Sequence, residues 1–402
     1  MKIGTVLRSR FRFDWLRRGG LVSYSGFQFV PTKSREGAVV TIRKPIERKN
    51  ETITMFLSGL FYLANCVRFV LRNATIPLFV GLGCAPVFAD QPPEPLTIAT
   101  WNLEWFFDDF KANNRSDVAK EQSAPSREEW DWKLYMVAAA IAKFKPTILA
   151  VQEIEDRGVM QALTKALKEK HDLNYRVAFI DGYDSGTEQD VAIIFQSGLV
   201  EYSRREQTNE MFRSNEYYNL SKHMFARFEW QVGDRTEYLT ILNMHLRATA
   251  DAADLRKRQC KLAHAWVKPR IEAGENVIVL GDLNVEEATG AVQPDGDGMH
   301  LLLGRHTPSE SDDLIDLLGK SESPTQSTHL ILDKQFDRVL VSPKMLSASP
   351  TGIQFQSIEV LSRFNIRGSG PDLDHWDTRF TKDRAERDIS DHHPVMATFV
   401  IR

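Results

Sequence analysis

A set of polar residues stands at the edges of short apolar runs. Asn102 follows Thr97-Ile-Ala-Thr-Trp101, Glu153 follows Ile148-Leu-Ala-Val-Gln152, and His245 follows Thr240-Ile-Leu-Asn-Met244. Asp282 and Asn284 follow Val277-Ile-Val-Leu-Gly281, Asp391 and His392 come just before Val395–Ile401, and Asp337 opens Phe336-Asp-Arg-Val-Leu340. Each has a plain structural reading by itself: a turn cap, a core histidine, a surface ion pair. Together they supply what cleavage of a phosphate ester requires. Hard divalent cations such as Mg2+ take a few oxygen ligands and keep waters, and Glu153, Asp391 and the amide oxygen of Asn102 would supply such ligands. An Asp can orient or deprotonate water, and a His held by a carboxylate, as Asp337 would hold His392, serves as acid or base near pH 7. Asn284 and His245 would donate hydrogen bonds to phosphoryl oxygens. No Cys or His cluster has zinc spacing.

The elements that must carry these groups alternate between strand and helix. Runs rich in β-branched and aliphatic residues predict strands at Leu96–Trp101, Thr147–Gln152, Val191–Phe195, Leu239–Met244, Val277–Leu280, Phe336–Val341 and Val395–Ile401. Several are continuously apolar, as expected of strands covered on both faces. Ser126-Arg-Glu-Glu129 reads as a capping box before the stripe Trp130, Leu134, Val137, Ala138 and Ile141, which ends ahead of Pro146. Val159–Leu167 and Ala252–Ile271 carry similar helical patterns. The sum is a layered α/β domain with its candidate residues at the strand edges, where sheet-based enzymes build sites. Long irregular stretches at Glu201–Tyr218, Glu286–Pro324 and Ser362–Asp388 read as functional loops. Within the last, Arg379–Asp388 reads as a solvated charged face, and Asp374-His-Trp-Asp377 is not expected to bind metal.

Met1–Thr54 holds 12 Lys+Arg against 4 acids, with no sustained apolar period, and reads as a basic, weakly structured extension. Met55–Ala89 has no acid at all, and its stretch Ile76–Ala89 is apolar. That is a signal-peptide design, too short for the roughly 20 residues of a membrane span. Val87-Phe-Ala89 offers a cleavage site, so export to the periplasm or the exterior is expected, with the catalytic domain running from Asp90 to Arg402. A retained membrane anchor and lipid attachment at Gly83-Cys84 are the alternatives, and Met55 is an alternative start. The domain keeps only Cys260, which excludes an internal disulfide and reads as a buried helix residue.

The motifs resemble an ordered series. Thr100-Trp-Asn-Leu-Glu104, Val151-Gln-Glu-Ile154, Asn243-Met-His-Leu246, Gly281-Asp-Leu-Asn284, Phe336-Asp-Arg-Val339 and Ser390-Asp-His-His-Pro394 look like the motifs of the endonuclease/exonuclease/phosphatase superfamily, which includes deoxyribonuclease I. The resemblance implies a four-layer α/β sandwich, two mixed sheets packed face to face and flanked by helices, with a Mg2+-dependent hydrolytic site at one end. It implies Asn102, Glu153 and Asp391 as metal-binding residues, and Asp282 as the residue that orients the attacking water or binds a second metal. It further implies Asn284 and His245 as phosphate contacts and Asp337–His392 as the acid/base dyad. Mn2+ or Ca2+ are alternatives to Mg2+. The chain departs from many relatives in having Lys222-His-Met224 where they have Arg-Pro. From relative position, Asp190 is expected to orient His245.

The whole chain of 402 residues carries a formal charge of −3. From Asp90 onward there are 37 Lys+Arg against 50 Asp+Glu, a net of −13, because the basic residues concentrate upstream. A protein that grips duplex DNA presents a basic stripe. The only concentration here is Arg256-Lys-Arg258 with Lys261, plus Arg247, so strong duplex affinity is not expected. Three readings follow: an exported phosphodiesterase or nuclease, a phosphomonoesterase or sphingomyelinase-like phospholipid hydrolase on the same scaffold, and an inactive binding module. The partner is a phosphate ester, and a monomer is expected.

Overall fold

The structure, a computed structural model, describes residues 91–402 and three strands nearer the start of the chain. The chain divides into two units, Met1–Ala85 and Pro86–Arg402. In the first, β1 (Ser23–Tyr24), β2 (Phe27–Ser34) and β3 (Gly37–Arg43) form an antiparallel sheet in that order. This differs from the extension without regular structure read from the sequence. Val39-Val40-Thr41-Ile42 is a β-branched run that pairs with Phe29–Thr32, and charge counting alone hid it. The leader Met55–Ala89 lies outside the described residues.

The second unit is built on two six-stranded sheets. One contains β4 (Leu96–Phe106), β5 (Ile148–Ile154), β6 (Arg176–Phe179), β7 (Asp190–Phe195), β14 (Ile353–Val360) and β15 (Val395–Ile401), in the order β14-β15-β4-β5-β7-β6. The other contains β8 (Leu199–Ser203), β9 (His223–Val232), β10 (Arg235–His245), β11 (Asn276–Asp282), β12 (Ile315–Asp316) and β13 (Asp337–Val341), in the order β12-β13-β11-β10-β9-β8. Each sheet holds one parallel pair, β4–β5 and β10–β11, and is otherwise antiparallel. All seven strands expected from sequence are present. Those missed, such as β8 and β14, carry many exposed polar residues and so lack a clean apolar run.

Alternation along the strands explains the layering. Leu96, Ile98 and Ile148 of one sheet meet Leu239, Ile241 and Ile278 of the other in a shared dry core. The intervening residues Ala99, Trp101 and Val151 turn outward onto the helices Arg127–Phe144 and Arg157–His171, while Leu242, Met244 and Val279 turn onto the helix Ala253–Glu272. Each such side chain contributes about 1.5–3 kcal/mol by leaving water. Two buried amides stitch the sheets near one end: Gln152 donates to Asn243 Oδ1 at 2.8 Å, and Asn243 donates to the carbonyls of Val151 and Ala192. Among the described residues no helix is long and apolar enough to cross a membrane.

The helix Arg127–Phe144 starts on Ser126, whose hydroxyl accepts from the Glu129 amide, and stops at the left-handed Lys145 before Pro146. Only half of the expected capping box forms, because the Glu129 carboxylate turns to Arg384 and Arg387. Cys260 is free and buried, and burial pushes its thiol pKa up.

At Gly281 the chain requires glycine. Its φ is +133°, and a Cβ there would meet the Met244 carbonyl oxygen at 1.9 Å. This close approach sets His245 and Asp282 side by side at the ends of β10 and β11. Gly281→Ala is expected to cost about 3 kcal/mol or more, lowering Tm by roughly 6 °C or more in a thermal melt. A melt matching the wild type would show that the two strands have room to part.

Candidate active site

The sheet topology gathers the candidate residues at one end of the sandwich. β4 and β5 are parallel, as are β10 and β11, so Asn102, Glu153, His245 and Asp282 all lie at C-terminal ends on the same side. Asp337 opens β13, which runs antiparallel to β11 and places Asp337 directly opposite Asp282. Asp391 and His392 precede β15, which runs antiparallel to β4. The two groups that sit before a strand in sequence therefore reach the same edge as those that follow one.

The backbone bends to deliver them. Pairing shifts register between Asn102 and Phe106 and again between Gln152 and Ile154. Glu104, Trp105, Glu153 and Asn284 all have positive φ, between +45° and +59°. Such bulges re-aim side chains at sheet rims, and left-handed non-glycine residues cost about 1–3 kcal/mol each, so their clustering marks a functional edge.

The Oδ2 atom of Asp282 is the hub. It accepts from Asn102 Nδ2 at 2.9 Å, and His245 Nε2 and His392 Nε2 stand 3.5 and 3.7 Å away. Its Oδ1 accepts the Asn284 amide. His245 Nε2 is also 3.9 Å from Glu153 Oε1, and Glu153, His245 and Asp282 converge within 4.8 Å. His392 Nδ1 bonds Asp337 Oδ2 at 2.7 Å, and its Nε2 is 3.9 Å from Asp391. All of the expected residues thus share one site, with Asn284 at its edge donating to the Leu246 carbonyl.

Burial and charge set the protonation states. Burial opposes charge on His392, but the carboxylates of Asp337, Asp282 and Asp391 overcome it and hold the ring well above its ordinary pKa. His245 goes the other way: burial, with Lys222 and His392 nearby, pushes it far down and keeps it neutral. Burial and then the Asp391 charge push Glu153 up to about 7, and burial likewise raises Asp391 and Asp282. Half-buried carboxylates whose charges are disfavoured this way fit the binding of a divalent cation, for which Glu153 and Asp391 are the candidate ligands.

Three details differ from expectation. The amide oxygen of Asn102, expected as a metal ligand, accepts the Glu104 amide at 2.9 Å, and its nitrogen faces Glu153 and Asp282. Asn102 is placed to bind the carboxylates, because the bulge brings the Glu104 N–H onto its oxygen. Asp190 does not orient His245: its Oδ1 accepts the Gly182 amide at 2.7 Å, and His245 Nδ1 is buried with no hydrogen-bond partner among the described residues. Lys222 is buried, donates to Gln189 Oε1 and lies 3.6 Å from Asp184, with its charge felt at Glu153 and Asp282.

The loop Ser362–Asp388 contributes more than a solvated face. Its Arg387 is buried against Glu129, while Arg379, His375 and Lys133 surround the buried Glu104. Burial opposes that carboxylate's charge, yet the three cations hold its pKa well below the usual range. Trp376, still 54% exposed, donates its indole N–H to Asp391 Oδ2 at 2.8 Å. Sequence reasoning missed the contributions of Glu104, His329 and Trp376. Glu104 falls inside a recognised motif and was legible there, whereas His329 and Trp376 sit in irregular segments without periodic signal.

No curated protein matches the sequence. Among solved structures, the chain is similar to an endonuclease/exonuclease/phosphatase family protein from Bacteroides thetaiotaomicron, with TM-score 0.47, 16% identity, and coverage of 78% of this chain and 100% of that one. It is also similar to the human Nocturnin catalytic domain, with TM-score 0.45, 14% identity, and coverage of 78% and 96%. TDP2 from Caenorhabditis elegans gives TM-score 0.45 at 16% identity, over 76% of this chain and 74% of that one. The sequence model of the Endonuclease/Exonuclease/phosphatase family matches residues 99–392, from the strand that carries Asn102 to the dyad histidine. With that match covering most of the chain and every residue of the site, the chain belongs to the endonuclease/exonuclease/phosphatase family of phosphoester hydrolases.

Proposed function

We propose that the chain is an exported, Mg2+-dependent phosphodiesterase whose site accepts single-stranded or small diesters in preference to long duplexes. The observation that carries this reading is the convergence around Asp282 of two half-buried carboxylates, Glu153 and Asp391, with the Asp337–His392 dyad. A Mg2+ ion bound by the carboxylates would neutralise charge developing on the phosphoryl group. Asp282, whose pKa burial raises toward that of a working base, takes a proton from the attacking water. His392, held charged by Asp337, donates a proton to the departing oxygen. Neutral His245 turns Nε2 toward the same point and donates to a phosphoryl oxygen without adding charge.

The surface supports a small substrate. Arg256 is fully buried against Asp297 and Lys261 pairs with Glu216, while Arg258 bonds Asn215 and the Tyr217 carbonyl, so part of the basic stripe of the helix Ala253–Glu272 is paired within the domain. A separate groove of about 480 Å³ is lined by Arg115 and by the carboxyl groups of Glu155, Asp156, Asp181, Asp184, Glu188 and Asp190. The second reading is a phosphomonoesterase or phospholipid-headgroup hydrolase on the same site, to which the acidic surface is no obstacle.

The purified protein with Mg2+ is expected to hydrolyse bis-p-nitrophenyl phosphate and single-stranded DNA or RNA, with activity abolished by EDTA. Turnover confined to phosphomonoesters or sphingomyelin would favour the second reading, and no EDTA-sensitive turnover on any of these would overturn both. Export through Met55–Ala89 predicts a secreted or periplasmic form beginning at Asp90. N-terminal sequencing that finds the leader intact would refute cleavage there.

A further inference from the structure

We infer that His329, outside every sequence motif above, is an additional catalytic residue, a fixed hydrogen-bond donor that holds a phosphoryl oxygen of the substrate beside Asp391. The inference rests on the hydrolase reading but concerns a residue that reading does not use.

Backbone hydrogen bonds lock its place. The Leu330 amide donates to the Asp391 carbonyl and the His393 amide to the Thr328 carbonyl, both at 2.7 Å, so His329 pairs with His392 across a short bridge. The two imidazole centroids are 4.8 Å apart, and the rings of Phe336 and Trp376 flank His329 at 5.7 and 5.6 Å. The residue is 4% exposed.

The hydrogen positions follow from its partners. Nδ1 of His329 accepts two backbone amides, Ile331 at 3.1 Å and Leu332 at 3.0 Å. A ring nitrogen that accepts two N–H groups carries no proton itself, so the ring's hydrogen sits on Nε2. That Nε2–H faces the catalytic centre. Asp391 Oδ2 lies 3.9 Å away, too far for a hydrogen bond, and already accepts the Trp376 indole. Among the described residues no acceptor lies within hydrogen-bonding distance of it. A pre-oriented donor without a protein acceptor, in a largely dry wall beside the metal-binding carboxylate, is suited to an anionic oxygen of a phosphate ester.

The same tautomer separates this role from metal binding. His329, Asp391 and His392 come within 4.8 Å of one another and resemble a ligand set. A metal would need the lone pair of His329 Nε2, which the hydrogen occupies while Nδ1 accepts the two backbone amides.

Two substitutions divide the ring's functions. Asn at 329 places an oxygen near the Nδ1 position, keeping the bonds to Ile331 and Leu332, but lacks the Nε2 donor. Gln places an N–H near the Nε2 position. Inorganic phosphate binding to the full-length chain with Mg2+, by calorimetry, should weaken at least about tenfold in His329→Asn, the scale of a hydrogen bond to a charged acceptor. His329→Gln should recover most of it, and Mn2+ affinity, read by electron paramagnetic resonance, should stay within about twofold in both. With bis-p-nitrophenyl phosphate as substrate, kcat of His329→Asn should fall about 30- to 100-fold. Phosphate binding by His329→Asn within twofold of wild type would reduce His329 to a loop staple, and a tenfold loss of Mn2+ affinity would make it a metal ligand. Either result overturns the inference. A wild-type chain that binds phosphate without cleaving the diester would instead count against the phosphodiesterase reading, and the phosphate arm would still decide the role of His329.

Discussion

Asp282→Ala is expected to lower kcat by at least about 10³-fold while Tm stays within about 2 °C of wild type or rises. The catalytic loss follows from the position of Oδ2, which faces Asn102, His245 and His392 at once. No neighbouring group can replace it, because Glu153 is pushed toward neutrality by burial and Asp391. The stability expectation follows from the same surroundings. Asp282 is buried with its pKa raised, so without metal its charge is a burden on the fold, and removing that charge offsets the lost hydrogen bonds to Asn102 and Asn284. Steady-state kinetics at saturating Mg2+ and a melt in EDTA provide the check. A variant within tenfold of the wild-type rate would remove Asp282 from the water-activating role.

Asp337→Asn should lower kcat by about 10³- to 10⁴-fold, since an amide cannot supply the charge that holds His392 protonated. It also carries a pH signature. His392 has a folded-state pKa well above the 6.5 of a free imidazole, so in the metal-free protein its contribution to stability is complete below about pH 6.5 and is lost as pH rises through the raised value. The wild-type Tm in EDTA should therefore fall toward alkaline pH, and Asp337→Asn should show a shallower fall. Parallel curves for the two proteins would mean that Asp337 is not what keeps His392 charged.

Much of this site was legible because strand ends have a strong sequence signature. Continuous apolar runs such as Val277-Ile-Val-Leu-Gly281 announce a buried strand, and a polar residue directly after one must emerge at the sheet edge. The side-chain orientations were not legible. The amide of Asn102 turns because a bulge places the Glu104 N–H against its oxygen, and such a register shift leaves no periodic trace. Asp190 was misjudged because relative position does not fix where a carboxylate turns: it is drawn to the Gly182 amide, where any larger residue would collide with it. His329 and Trp376 come from irregular segments, where tertiary contacts alone determine which side chain faces inward.

The acidic groove has a consequence for ionic strength. Enzymes that hold polynucleotides through basic stripes lose affinity as salt rises, because releasing counterions into a more concentrated salt solution gains less entropy. Here the domain from Asp90 onward carries a net charge of −13 and a groove rich in carboxylates, so an incoming polyanion meets net repulsion that added salt screens. For long, multiply charged substrates the KM should fall as monovalent salt rises from about 10 to 150 mM, while small substrates with a single charge respond little. Ionic strength would then act as a length filter, with dilute surroundings restricting turnover to short phosphate esters.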